Sequence, residues 1–208
     1  MSVSPAPWRK ILSGLPPETT QALVVAPAPD APFFVATLSA MERQKGRWRR
    51  ARGPFRAVIG RAGFAAPGEK REGDKKTPSG IFPLEHAFGY AEKAATRMAY
   101  RPIRDKDVWV DDRESPDYNR WSEKGLAGGA SFETMKREDG LYRCGVVIGY
   151  NRDPVEKGRG SAIFLHVWKA PDAATSGCVA VSAGDLLVIL AWLDPSRRPV
   201  VVLAGERA

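Results

Sequence analysis

The chain has 208 residues, of which 43% are hydrophobic and 27% charged, with a formal net charge of +8. This is an ordinary globular composition, long enough for one domain with a real core, or for one domain with an extension. The longest apolar runs, Ala22–Ala26 and Leu186–Trp192, are far too short to span a bilayer, so an integral membrane segment is not expected.

A basic balance favours nucleic acid, anionic membranes or anionic wall polymers as partners. The densest basic cluster, Lys45 to Arg52, alternates along its length and reads as the wet face of a strand. No recognition helix or zinc motif accompanies it, so nucleic acid is not an expected partner. The two cysteines, Cys144 and Cys178, make no disulfide framework. With His86 and His166 they could form a zinc site only without any C-x-x-C or H-x-x-x-H spacing, and no metal is expected. The N-terminus is Pro-rich (Pro5, Pro7, Pro16, Pro17) and lacks the apolar stretch of a secretory signal. The compartment therefore stays open between cytoplasm, export by another route, and loss of a leader.

Residues 1–32 read as an irregular N-terminal extension in which Gln21–Ala26 is a short strand candidate, broken by Pro27, Pro29 and Pro32. A main domain over 33–208 is expected to follow. Phe33–Glu42 alternates and reads as a strand. After a turn at Gly46, Arg47–Arg52 and Phe55–Ile59 read as two further strands split at Gly53-Pro54. Residues 60–80 are a Gly-, Lys- and Pro-rich loop. Thr96–Asp112 alternates weakly, Asp111–Arg120 is turn-like, and Ser131–Glu138 is a short helix candidate. Tyr142–Tyr150 and Ala162–Val167 are strong strand candidates separated by a Pro- and Gly-containing loop. Ser182–Asp194 reads as an amphipathic helix capped by Ser182 with Asp185 at its third position, and Pro199–Leu203 as a closing strand. The whole is a β-rich α+β pattern with one or two packed helices.

Two segments carry candidate chemistry. Cys178 lies in Thr175-Ser176-Gly177-Cys178-Val179-Ala180, between a loop and the expected helix. A thiol near a helix N-terminus is favoured as thiolate. Gly177 allows a sharp turn, and the N–H groups of Gly177 and Cys178 could form an oxyanion hole. The alternative is that Cys178 is a small buried hydrophobe. His166 ends an apolar strand, where a ring can face a cleft and act as the base that a nucleophilic thiol requires; the alternative is a satisfied, half-buried histidine. His86 and Cys144 read as structural. A third segment, Gly73 to Leu84, contains Thr77-Pro78-Ser79-Gly80, a tight turn feeding an apolar strand.

Together these segments resemble the L,D-transpeptidase catalytic domain, the YkuD family, over roughly 33–203. The family element G-x-x-x-x-T-P-x-G-x-F is matched by Gly73, Thr77, Pro78, Gly80 and Phe82. A strand ending in His, a loop, and a Gly-Cys pair follow in the family's order as His166, Gly177 and Cys178. Two positions depart from the pattern: Ser176 stands where the family has a second histidine, and Ala180 where it has an arginine. The interval from His166 to Cys178 is also shorter than usual.

The resemblance implies a mixed-sheet sandwich and a cysteine nucleophile, Cys178, with His166 as its base and the Val167 carbonyl orienting the ring. It implies peptidoglycan stem peptides or muropeptides as substrates, a monomer, an envelope location, and no metal or organic cofactor. Pairing with His166 is expected to lower the Cys178 pKa from about 8.5. Ser176, Arg159 and Trp168 are expected near the substrate, with Arg159 or Arg152 supplying the missing positive charge. The thioester would pass to an amine, giving a cross-link, or to water, giving carboxypeptidase or endopeptidase activity. A non-catalytic wall-binding module on the same fold is the reading of a different class.

Overall fold

Apolar alternation dictates most of the strands. The computed structural model describes residues 8–128 and 130–205; Pro5 and Pro7 of the expected extension, and residues 206–208 of the expected main domain, lie outside the described residues. A short helix α1 (Trp8–Ser13) precedes β1 (Gln21–Pro27), β2 (Val35–Gln44) and β3 (Arg47–Val58). Next come β4 (Gly80–Gly89), β5 (Tyr100–Pro102), β6 (Asp107–Val110), β7 (Arg120–Glu123) and β8 (Phe132–Thr134). The C-terminal part holds β9 (Cys144–Ile148), β10 (Phe164–Val167), β11 (Val179–Val181), helix α2 (Ala183–Trp192) and β12 (Val200–Leu203).

Nine strands form one mixed sheet in the order β12-β1-β2-β3-β11-β10-β9-β4-β5, and a further β12–β4 pairing closes it on itself. The β1–β12, β10–β11 and β4–β5 pairs are parallel. The β-rich α+β class with a mixed sheet and two helices is as expected. Closure is the added feature: Val200–Leu203 is fully paired on both sides, by β1 and by Gly80–Pro83. β6, β7 and β8 form a separate three-stranded sheet.

Four expectations are corrected. Gln21–Pro27 pairs along its whole length with β2 and along much of it with β12, so the sheet begins inside the stretch read as an irregular extension. β3 is one strand, not two. Pairing with β2 continues on both sides of Gly53-Pro54 through a bulge, which the positive φ of Gly53 (80°) permits. The helix expected over Ser131–Glu138 is replaced by β8, because Phe132 and Thr134 pair with the apolar β6 and tertiary pairing overrides a weak local preference. Finally, β11 lies between Cys178 and α2, so Cys178 does not sit at a helix N-terminus.

α2 follows the expected pattern. Ser182 accepts a hydrogen bond from the Asp185 N–H at 3.1 Å and caps the helix. Leu186, Ile189 and Leu190 are buried against Leu165, Val167, Val179 and Val181, on the inner face of the sheet. Strand pleating sends the alternate residues outward. Phe164 of β10 and Cys178, just before β11, thus join a second cluster with Phe88, Trp109, Met135 and Tyr142. The 103–142 excursion, carrying the three-stranded sheet, folds over this outer face. Pleating is therefore what brings Cys178 and His166 to the same side, beneath that cover.

Candidate active site

β10 and β11 pair in parallel, with His166 beside Ala180 and Leu165 beside Val179. His166 and Cys178 consequently face the same cleft, of about 290 Å³. Ser176, Gly177, Trp168, Lys70, Glu133 and Arg137 also line it. The His166 ring is 5% exposed, and its edge meets the Tyr142 ring at 5.1 Å between centroids. Nδ1 lies 2.8 Å from the Val167 carbonyl oxygen, as the resemblance implies. A carbonyl only accepts, so Nδ1 carries the proton and Nε2 keeps its lone pair.

The thiol is not poised as expected. Cys178 Sγ donates to the Ala162 carbonyl at 3.1 Å, and the Phe164 N–H approaches it at 3.4 Å. Burial, helped by the nearby Glu133 carboxylate, pushes the Cys178 pKa up to about 12. Burial lowers His166 to about 4. The expected lowering of the thiol by its histidine is therefore absent in the resting structure: both groups are neutral.

Two backbone features hold the loop. Thr77, fully buried, accepts the Gly60 N–H at 2.9 Å and donates to the Gly177 carbonyl at 2.8 Å. The threonine of the Thr-Pro-x-Gly element thus ties its own turn to the loop bearing Cys178, across 100 positions of sequence. Gly177 has φ 152°, and a Cβ there would lie 3.0 Å from the Lys76 carbonyl, so the loop requires glycine.

A model of the YkuD L,D-transpeptidase catalytic domain matches residues 36–202. The chain belongs to this family. The family comprises cysteine-dependent enzymes that act on peptidoglycan. No curated protein matches the chain. Among solved structures, the helical cell shape determining protein Pgp2 from Campylobacter jejuni is similar at 15% identity and a TM-score of 0.44. That similarity covers 96% of this chain and 55% of the Pgp2 chain, so the present chain spans about half the length of that protein.

Within this L,D-transpeptidase domain, the Gly177 N–H donates to Thr175 Oγ1 at 3.1 Å, and it reaches a substrate oxyanion only if that bond is shared or released. Trp168 and Ser176 line the cleft. Arg159 and Arg152 do not: Arg159 binds Glu156 and the Gly68 carbonyl, whereas Arg152 binds Glu85 and stacks over Trp109. The cations that do line the cleft include Lys70 and Arg137, which sequence reasoning missed. Lys70 Nζ is held by Asp74 at 2.6 Å and by the Arg71 carbonyl at 2.7 Å. Arg137 pairs with Glu133 at 3.1 Å and lies over the Tyr142 ring. Glu133 also accepts the Tyr142 hydroxyl at 2.6 Å, and burial raises the pKa of both groups.

His86 lies mid-strand in β4, outside the cleft. Its ring packs on Trp121, and its Nε2 is buried without a hydrogen-bond partner. Cys144 opens β9, half-buried. No group of three or more His, Cys, Asp or Glu side chains suited to a metal occurs among the described residues. No described helix is long and apolar enough to cross a membrane.

Proposed function

We propose that this chain is a peptidoglycan L,D-transpeptidase that acts on tetrapeptide stems through a thioester on Cys178. The observation that carries the reading is that Cys178 and His166 share one buried cleft on neighbouring strands, with the His166 lone pair at Nε2 left available. In this reading Sγ turns from the Ala162 carbonyl toward His166, and Nε2 takes the thiol proton as sulfur attacks the carbonyl before the terminal D-residue. The tetrahedral oxyanion rests on the Cys178 N–H and on the Gly177 N–H once Thr175 shares it. Collapse breaks the C–N bond, the imidazolium protonates the departing amine, and a thioester remains. The amine of a second stem then attacks the thioester. His166 removes its proton, the thiol is restored, and a cross-link forms.

Lys70 and Arg137 supply positive charge beside the developing anion, in place of the arginine that Ala180 lacks. Their proximity works against the burial that raises the Cys178 pKa.

The test is product analysis on a disaccharide-tetrapeptide, with and without an amine acceptor, alongside intact mass after carbapenem treatment. Cross-linked dimer and a covalent adduct, both lost in Cys178→Ser, are expected. Tripeptide and free D-amino acid without dimer would reassign the chain as a hydrolase. No adduct on the unsubstituted protein, with muropeptide binding retained in Cys178→Ser, would leave a binding module.

A further inference from the structure

The basic cluster of the β2–β3 hairpin takes no part in the cleft. From Arg43 to Arg52 the chain has six cations and no carboxylate. β1 pairs with β2 only as far as Glu42, so the hairpin continues past it as a two-stranded ribbon turning at Lys45-Gly46. Register assigns the cations to faces. Arg47 pairs opposite Gln44 and Arg49 opposite Glu42, on one face; Arg50 lies opposite Met41, on the other. All three arginines and Lys45 are exposed, and none forms an ion pair among the described residues. The nearest acid, Glu42, is already engaged by Arg197. Arg43 is spent internally, donating to the Leu15 and Pro16 carbonyls and stacking on Trp48. Trp48 in turn donates to the Leu12 carbonyl at 2.8 Å, fixing the ribbon against α1. The groove between α1 and the ribbon is lined by Trp8 and Trp48 together with Arg9, Arg47, Arg49 and Arg50, and no carboxylate among the described residues lines it.

We infer that this ribbon is a docking element for an anionic phospholipid surface. Its charge is uniformly positive, so its partner is polyanionic. A headgroup layer into which the tip dips meets Arg47, Arg49, Arg50 and Lys45 together. Guanidinium groups match phosphate oxygens in a bidentate fashion, and tryptophan at the base suits the interface between water and acyl chains. No exposed apolar side chain lies at the tip, so association is electrostatic and reversible. β3 runs twelve residues from this tip to the edge shared with β11, beside the cleft. At strand rise this places the β11 edge, two residues from Cys178, roughly 35 Å along the strand from the docked tip, so a docked protein keeps its cleft open to substrate.

The experiment is co-sedimentation of the full chain with phosphatidylcholine vesicles, and with vesicles that also contain phosphatidylglycerol. Binding to the second only, falling steeply with added salt, is expected. The triple variant Arg47→Gln, Arg49→Gln, Arg50→Gln should bind roughly a hundredfold more weakly, taking about a fivefold step per arginine. Its thermal melting should be unchanged, because the three side chains are solvent-exposed. A matched control, Lys93→Gln, Arg120→Gln, Lys124→Gln, removes the same charge elsewhere and should bind almost as the parent does. Equal losses in the two triple variants would overturn the inference in favour of net charge alone. So would binding of the parent to heparin or duplex DNA with none to anionic vesicles, which would point to a soluble polyanion.

Discussion

Thr77→Val tests the link between the Thr-Pro-x-Gly turn and the loop bearing Cys178. Valine keeps the shape of threonine, so no cavity opens. What is lost is a hydroxyl that satisfies two backbone groups at once, the Gly60 N–H and the Gly177 carbonyl. Thr77 is fully buried, and so are Gly60 and Gly177, leaving water little access to the orphaned groups. Each buried unsatisfied group costs about 1–3 kcal/mol. A mid-range total of about 4 kcal/mol lowers Tm by roughly 8–16 °C in a domain of this size. Thr77→Ser keeps the hydroxyl, loses one methyl, and should lose only about 1 kcal/mol. Circular-dichroism melts of the three proteins give the ordering, and carbapenem acylation followed by intact mass gives the functional consequence. A loop displaced by about 1 Å is expected to slow acylation roughly a hundredfold in the valine variant and little in the serine variant. Valine and serine variants that melt together, within about 2 °C of the parent, would refute the hydroxyl's role as a tie.

Four further outcomes are expected. In a Cys144→Ser background, alkylation of Cys178 should still accelerate above about pH 10, because burial pushes that thiol up to about 12; a plateau near neutrality would reveal a resting ion pair instead. His166 is lowered from 6.5 to about 4, so its contribution to stability is fully present above pH 6.5 and is lost as pH falls toward 4. The difference of 6.5 minus about 4 corresponds to about 3 kcal/mol; urea unfolding at the two ends should show this loss in the parent beyond that in His166→Gln. Gly60→Ala should unfold at markedly lower temperature, since its Cβ would sit 2.4 Å from the Lys75 carbonyl oxygen; a parental melt would contradict the tight packing there. Arg137→Gln should slow acylation and destabilise the fold by about 1 kcal/mol, because Glu133 loses its ion pair but keeps the Tyr142 hydroxyl, whereas Arg159→Gln should leave acylation rates unchanged.

The strands were legible where alternation was strong and both faces obeyed it. β9, β10 and β12 fall within the expected segments, and α2 starts at its expected serine cap. β8 was not legible because Phe132 and Thr134 gain their strand conformation from pairing with β6, which no local pattern records. That miss also hid part of the site, since Glu133 lies in the misread segment and Arg137 pairs with it from just beyond β8. Cys178 and His166 were singled out through the family resemblance, by their chain order after the Thr77 turn, and the structure brings both to one cleft. Their protonation was not, because it depends on how deeply the 103–142 excursion buries them. The expectation of a helix-assisted thiolate failed for a local reason: three residues of strand intervene between Cys178 and Ser182.

The neutral resting pair constrains how attack can occur. Burial raises the Cys178 thiol and lowers the His166 imidazole, so moving the proton from sulfur to Nε2 is uphill in the closed cleft. In the proposed reaction the proton leaves sulfur as the new C–S bond forms, or after the environment of the pair has changed. Substrate binding offers the second route. A peptide that draws Sγ away from the Ala162 carbonyl exchanges a hydrogen bond that favours the thiol for one to Nε2, which drives ionisation. In the proposed reaction Lys70 and Arg137, already in the cleft, stabilise negative charge as it develops on sulfur and oxygen. Resting neutrality has its own consequence. A buried thiol at about 12 is almost wholly unionised at neutral pH and resists oxidants and adventitious electrophiles. In the proposed reaction its reactivity is confined to ligands that fit the cleft.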